Sequence, residues 1–366
     1  MNTHKKNWLP PFCPNPKCQF HNDLSGNWPF KRAGYFKRQI YPFRIQRFTC
    51  KHCGRSFSSQ TFSTTYWQKR PELISQIFMK VIGCMANRQI ARDLGAAPCT
   101  IDRQVARLGR HCLVFHQQMA KDAEPPSHVV VDGFESFEYS QYYPIHHHVA
   151  VEKDTDFFEY FTDSPLRRKG RMTAHQKQRR VILENLLGRP DPKAIEKDMK
   201  ELLEVVLQGR QSAEVYSDDH RAYPRAIRQV DCQIKQKVTP GSEHRDQNNS
   251  LWEVNLLDLL IRDSSSNHKR ETIAWSKRRQ ASAERLAILL VWRNYMKGRR
   301  EKERGSPSPA MAKGICDHRL TVQEVLSGRI FRTRMDLPPR WAEYYDRTVE
   351  TVALAKNRKH ELSYAY

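Results

Sequence analysis

The chain has 366 residues, 62 of them Lys or Arg against 40 Asp or Glu, and a formal net charge of +22 at pH 7. Such a length is expected to hold one medium domain with smaller modules, and such a charge to attract a polyanion, nucleic acid before membrane. A membrane protein is not expected, because no unbroken apolar stretch of about eighteen residues occurs and Met1 to Lys6 form no apolar, basic-flanked leader.

Nine cysteines, unevenly spread, argue against a secreted disulfide framework. Four of them have metal-ligand spacing. In residues 1–62, Cys13 and Cys18 lie in Cys-Pro-Asn-Pro-Lys-Cys, and Cys50 and Cys53 in Cys-Lys-His-Cys-Gly-Arg, on either side of an aromatic and basic segment from Tyr35 to Phe48. Two such knuckles are expected to present four thiolates to one structural Zn²⁺, with Gly54 allowing the turn, as in a zinc ribbon. The first knuckle has four intervening residues, so His21 or His52 is an alternative ligand. Cys84, Cys99, Cys112, Cys232 and Cys316 stand apart and are assigned no chemistry.

Residues 66–120 read as helical. Leu73, Ile74, Ile77, Phe78 and Val81 recur at helical spacing, and Gly83 interrupts them. The stretch from Asn87 to Gly95 and the stretch from Thr100 to Arg110 then follow the grammar of a helix-turn-helix. In the second, Ile101, Val105 and Leu108 point inward, leaving Arg103, Arg107 and Arg110 for a DNA groove.

After the polar linker from Lys121 to Ser127, residues 126–298 mix strands and helices. Strands are expected over His128 to Asp132, His146 to Val151 and Phe157 to Thr162, then helices over Ala174 to Leu187 and Ala194 to Gln208. A strand over Ala213 to Ser217, a helix over Arg221 to Val230, a strand over Cys232 to Val238 and a long helix over Arg270 to Met296 complete the domain. That succession is RNase H-like, so the expected fold class is multidomain α/β: an RNase H-like mixed-sheet core behind a zinc ribbon and a helix-turn-helix module. Residues 299–366 read as a basic linker and a helical tail, whose Val325, Leu326, Ile330, Phe331, Leu337, Trp341 and Tyr345 are expected to dock on the main domain or a partner.

The chemistry falls to acids at strand ends. Asp132 ends the apolar run from Val129 to Val131, Asp218 follows Ala213 to Ser217, and Glu271 opens the expected terminal helix. Carboxylates on adjacent strands, with a third on a covering helix, can hold two divalent cations about 3.5 to 4 Å apart that clamp the attacking and leaving oxygens of a phosphodiester. Asp132 is assigned as the bridge, Asp218 to one ion and Glu271 to the other. Asp219 is set aside as a solvated helix-start residue. Glu253 and Glu284 remain alternatives for the third acid, but thirteen residues at about 100° put Glu284 some 140° round the helix from Glu271. Arg278 lies two turns beyond Glu271, where it would grip a phosphate. Glu135 reads as a solvated carboxylate, His146, His147 and His148 as a surface strand, and His244 and His268 as weak prospects for a phosphate or water contact. Arg167, Arg168, Lys169 and Arg171 form a basic loop suited to DNA backbone.

Over about residues 10–298 the chain resembles bacterial insertion-sequence transposases of the DDE type. The resemblance is carried by Val131-Asp132-Gly133-Phe134-Glu135-Ser136-Phe137, by Tyr216-Ser217-Asp218-Asp219-His220-Arg221-Ala222-Tyr223, and by Asn267-His268-Lys269-Arg270-Glu271-Thr272-Ile273-Ala274-Trp275-Ser276-Lys277-Arg278. It implies Mg²⁺-dependent cleavage at element ends followed by strand transfer, with Mn²⁺ an alternative ion. The expected partners are double-stranded DNA, as transposon ends and target, and further copies of the chain in a homodimer or higher oligomer. The expected location is the bacterial cytoplasm at the nucleoid. A non-catalytic DNA-binding regulator and an RNase H-like repair nuclease are the competing readings.

Overall fold

Aromatic side chains and four cysteines organise the N-terminal module in the computed structural model, whose described residues are 8–23 and 25–352. The expectation about Met1 to Lys6, and whatever the tail does over 353–366, lie outside them. Strands β1 (Phe30–Lys37), β2 (Arg44–Cys50) and β3 (Ser56–Ser58) form an antiparallel sheet in that order. Trp28, Phe48, Phe57, Phe12 and Phe62 pack into a small core of their own, which Phe331 from the tail completes.

Helices α1 (Leu73–Ile82), α2 (Asn87–Asp93) and α3 (Pro98–Ala120) follow. Gly95, at a φ of +55°, supplies the left-handed turn between α2 and α3. However, α3 continues ten residues past Arg110, and every residue from Gln104 to His116 is buried. It lies along α8 (Arg279–Val291), so closely that a Cβ on Gly109 would fall 2.5 Å from the Glu284 carbonyl oxygen.

The main sheet has the order β6-β5-β4-β7-β8. Strands β4 (His128–Phe137), β5 (Pro144–Glu152) and β6 (Phe158–Pro165) form an antiparallel meander; β7 (Ser212–Ser217) and β8 (Gln233–Val238) join the other side of β4 in parallel. Between β6 and β7 come α4 (Ala174–Leu187) and α5 (Ala194–Val206), and a short α6 (Tyr223–Ile227) links β7 to β8. The central strands read as near-continuous apolar runs because both faces are covered. Residues of α1 to α3, of the sheet, of α8 and of the tail belong to one apolar cluster. Residues 66–120 and 126–298 therefore share a core; the polar linker between them does not separate two.

Two elements differ from expectation. Helix α7 (Trp252–Ser264) falls where no element was expected, packing Val254, Leu257 and Ile261 down onto β4 and β5. The helix expected from Arg270 begins only at Arg279, and its last turn, Trp292–Met296, is a π-helix. Residues 265–278 are instead drawn against the end of β4: the Tyr139 amide donates to the Ser276 carbonyl at 2.7 Å, and the Trp275 indole donates to the Tyr139 carbonyl at 2.7 Å. Those bonds compete with helical pairing over the same backbone.

The tail forms α9 (Pro309–Ala312), α10 (Val322–Val325) and α11 (Pro339–Asp346) and docks on the main domain, with Trp341, Tyr344 and Tyr345 buried. Its anchor is Asp163 of β6, fully buried between Arg279 of α8 at 2.5 Å, Arg340 of α11 at 3.0 Å and the Tyr344 hydroxyl. Among the described residues no helix is long and apolar enough to cross a membrane.

Candidate active site and cysteine cluster

The parallel pairing of β4 with β7 sets Val130 beside Tyr216, so two residues further along Asp132 comes level with Asp218, just past the end of β7. Asp132 is half-buried and takes the Gly133 amide at 2.7 Å. Burial pushes its pKa up to about 6, and the negative charges of Asp218 and Asp258 add to that, against the Gly133 amide and the Arg245 guanidinium. Asp218 is steadied by the His220 amide at 3.1 Å. The buried phenol of Tyr223 is raised by desolvation and then by the same two carboxylates, which marks Asp132 and Asp218 as neighbours.

Asp258 is the acid that sequence reasoning passed over. It lies on α7, which crosses β4 on the Asp132 face: Arg262, one turn on from Asp258, donates to the Glu135 carbonyl at 3.1 Å and sits over the Phe134 ring. Asp258 Oδ1 is 3.4 Å from Arg262 Nε and, though buried, has no hydrogen-bond partner among the described residues. The helical spacing of Val254, Leu257 and Ile261 was the signal that could have found it.

The expected third acid, Glu271, is exposed in the 265–278 segment and opens no helix. Arg278 consequently has no helical register with it and instead precedes the first turn of α8. The two alternatives are occupied elsewhere. Glu253 pairs with Lys153 at 3.2 Å, and Glu284 is buried between Arg110 at 3.6 Å and Arg347 at 3.7 Å. Glu135 is on β4 rather than in a loop, and its odd spacing from Asp132 turns it to the opposite face. Nor do the acids form a group with ligand atoms all within 4.8 Å of one another; among the described residues only the four cysteines do.

The histidine run is interior, not surface. His147 and His148 are fully buried, bonded to Ser282 and Ser164 at 2.9 and 2.8 Å, and His268 is buried against Ser136. His244 is exposed beside Asp246. Burial lowers His147 to about 4, so it packs as a neutral ring.

The arginines expected to read DNA from α3 are corrected as well. Arg107 and Arg110 are buried, Arg110 against Glu284, because α8 and the tail cover that face; Arg103 alone of the three is exposed. In the basic loop between β6 and α4, Lys169 and Arg171 are exposed, whereas Arg167 is held by both oxygens of Glu184 at 2.7 and 3.0 Å and Arg168 lies over Tyr142.

In the N-terminal module Cys13, Cys18, Cys50 and Cys53 converge. Cys13 and Cys53 sulfurs are 3.7 Å apart and those of Cys18 and Cys50 3.9 Å. Tetrahedral ligation with bonds of about 2.3 Å requires sulfurs about 3.8 Å apart, so the four fit a zinc-sized ion. The Cys53 amide approaches Cys50 Sγ at 3.5 Å, as the turn before Gly54 allows. Neither histidine replaces a cysteine: His21 spans the Cys13 carbonyl and Thr333, both at 2.8 Å, and His52 Nδ1 lies 3.6 Å from Cys18 Sγ, outside the cluster.

No family model matches the chain, and no curated protein matches it. Among solved structures, the chain is similar to the catalytic domain of Mos1 mariner transposase at 11% identity and a TM-score of 0.23, covering 66% of this chain and 92% of that one. It is also similar to a piggyBac transposase synaptic complex with hairpin DNA at 10% identity and a TM-score of 0.35, covering 82% and 75%. A simian T-cell lymphotropic virus intasome gives 10% identity, a TM-score of 0.25, and 66% and 74% coverage. Functional assignment therefore rests on the residues of this chain.

Proposed function

We propose that the chain is a DNA transposase of the DDE type, with an RNase H-like domain that cuts and joins strands at insertion-sequence ends. One observation carries the reading. Asp132, within β4 where its pairing with β7 runs out, sits level with Asp218 just past the end of β7, and Asp258 on the covering helix acts electrostatically on Asp132. Three carboxylates without a sulfur or imidazole among them form a hard oxygen donor set that suits Mg²⁺ or Mn²⁺. The Asp258 oxygen that accepts no hydrogen bond, with only the Arg262 charge at 3.4 Å beside it, and the raised pKa of Asp132 are what a cation would relieve. Such ions, when bound, supply an activated oxygen nucleophile and neutralise charge on the phosphate and the leaving oxygen.

In this assignment Asp132, Asp218 and Asp258 would hold the ions, with Asp258 in the place expected for Glu271. Arg262 orients Asp258, while exposed Lys169 and Arg171 hold the strand being cut. The four cysteines hold one structural Zn²⁺, and the protein works as a dimer on DNA in the bacterial nucleoid.

The test is incubation of the purified full chain with supercoiled plasmid and Mg²⁺. Nicking and joining that require the metal and fall by about a hundredfold or more in Asp132→Asn support the reading. Tight DNA binding with no metal-dependent cut would instead favour a regulator descended from such an enzyme. Cleavage of element ends without joining would favour the repair nuclease.

A further inference from the structure

We propose that the β1–β2 hairpin of the cysteine module is the surface that enters the groove of duplex DNA. The inference rests on the reading above and assigns the contact that α3 cannot make. From Leu24 to Pro71 the sequence has ten Lys and Arg and no Asp or Glu, in a chain whose overall ratio is 62 to 40. Lys37 and Arg44 are direct cross-strand partners. Like charges at such a pair destabilise a hairpin unless an anion lies between them and solvent. Among the described residues no carboxylate pairs with Lys31, Arg32, Lys37, Arg44 or Arg47, whereas cations elsewhere on the surface commonly have one, as Arg70, Lys80 and Lys197 do.

Aromatic groups share this surface. Tyr35, Phe36, Tyr41 and Phe43 are all exposed, Tyr41 at 70% and Phe43 at 61%, at and beside the tip. Arg44 stacks over Tyr35 at 3.9 Å, and Arg38 closes the tip by donating to the Pro42 carbonyl at 2.8 Å. A patch of this kind on a monomer marks an interaction site. A two-stranded ribbon fits the major groove of B-form DNA; its cations meet phosphates and its apolar tip meets base edges. On the competing surface of α2 and α3, Arg107 and Arg110 are turned to the interior, and Arg103 has Asp102 as its neighbour.

Binding of the full chain to a short fluorescent DNA duplex, followed by anisotropy across a salt series, tests this. The double variant Lys37→Gln with Arg44→Gln should weaken binding about tenfold and flatten the slope of log K against log salt by about 0.9 for each phosphate no longer neutralised, while Arg103→Ala stays within about twofold. Phe43→Ser should also weaken binding, with cysteine-bound metal and thermal midpoint unchanged because the side chain is exposed. Hairpin variants that bind like the parent overturn the inference and leave the cleavage reading standing. So does tighter binding of an RNA duplex of equal length, whose narrow major groove would exclude the hairpin. A parent chain that binds no DNA overturns both.

Discussion

Asp258 shows how a single acid changes standing once its neighbours are known. By sequence it is one of several polar residues in an apolar stretch; in the fold its charge acts on Asp132, and Arg262 one turn on holds its Oδ1 at 3.4 Å. Glu271, with the more persuasive sequence context, is exposed in an irregular segment of turns and bends. Cleavage by Asp258→Asn should therefore fall as far as it does for Asp132→Asn, whereas Glu271→Gln should keep activity within about threefold of the parent, measured as plasmid nicking at saturating Mg²⁺. Asp132 and Asp218 were legible because short apolar runs followed by an acid leave a clear trace, although β4 continues past Asp132 to Phe137. The third acid was not, since its position depends on where a helix crosses the sheet.

At the scale of elements, two contacts decide how the helices and tail are held. The first is Asp163, which ties β6 to α8 and α11. Burial alone would raise its pKa, but Arg279 and Arg340 outweigh that and hold it well below the usual carboxylate range. A depressed folded-state value means that its stabilisation is complete above the unfolded value near 3.9 and is lost as pH falls beneath it. Asp163→Asn, which leaves two guanidinium groups without their anion, should cost about 3 to 5 kcal/mol in urea unfolding near neutral pH, with much of the difference from the parent disappearing under strongly acidic conditions. The second contact is Gly109 against Glu284. Gly109→Ala inserts a methyl where backbone already sits, and should lower the urea midpoint by the equivalent of about 1 to 3 kcal/mol. The same closeness explains why the helix-turn-helix grammar misled. Its local signals, the Gly95 turn and the inward stripe of Ile101, Val105 and Leu108, hold in the fold, yet nothing local announces that a second helix will cover Arg107 and Arg110.

For the whole molecule, the main sheet, α1 to α3 and the tail act as one body, and the cysteine module has its own small core, joined to the tail through Phe331, Thr333 and Leu326. A module with so little apolar mass depends on its metal to fold. Chelation should therefore expose the region before about residue 62 to protease and abolish DNA binding, while most far-ultraviolet dichroism from the larger body persists. The five-strand succession and the four-cysteine spacing were both readable from sequence, since each depends on local pattern; the continuity of the larger core was not, because the polar linker before β4 looked like a boundary.

The central claim is that Asp132, Asp218 and Asp258 serve one divalent-cation centre. Calorimetric titration of the zinc-loaded chain with Mn²⁺ tests it most directly. Binding in the parent that is lost in both Asp132→Asn and Asp258→Asn, and kept in Glu271→Gln, is the expected result. Undiminished binding in Asp258→Asn, or its loss in Glu271→Gln, would contradict the claim.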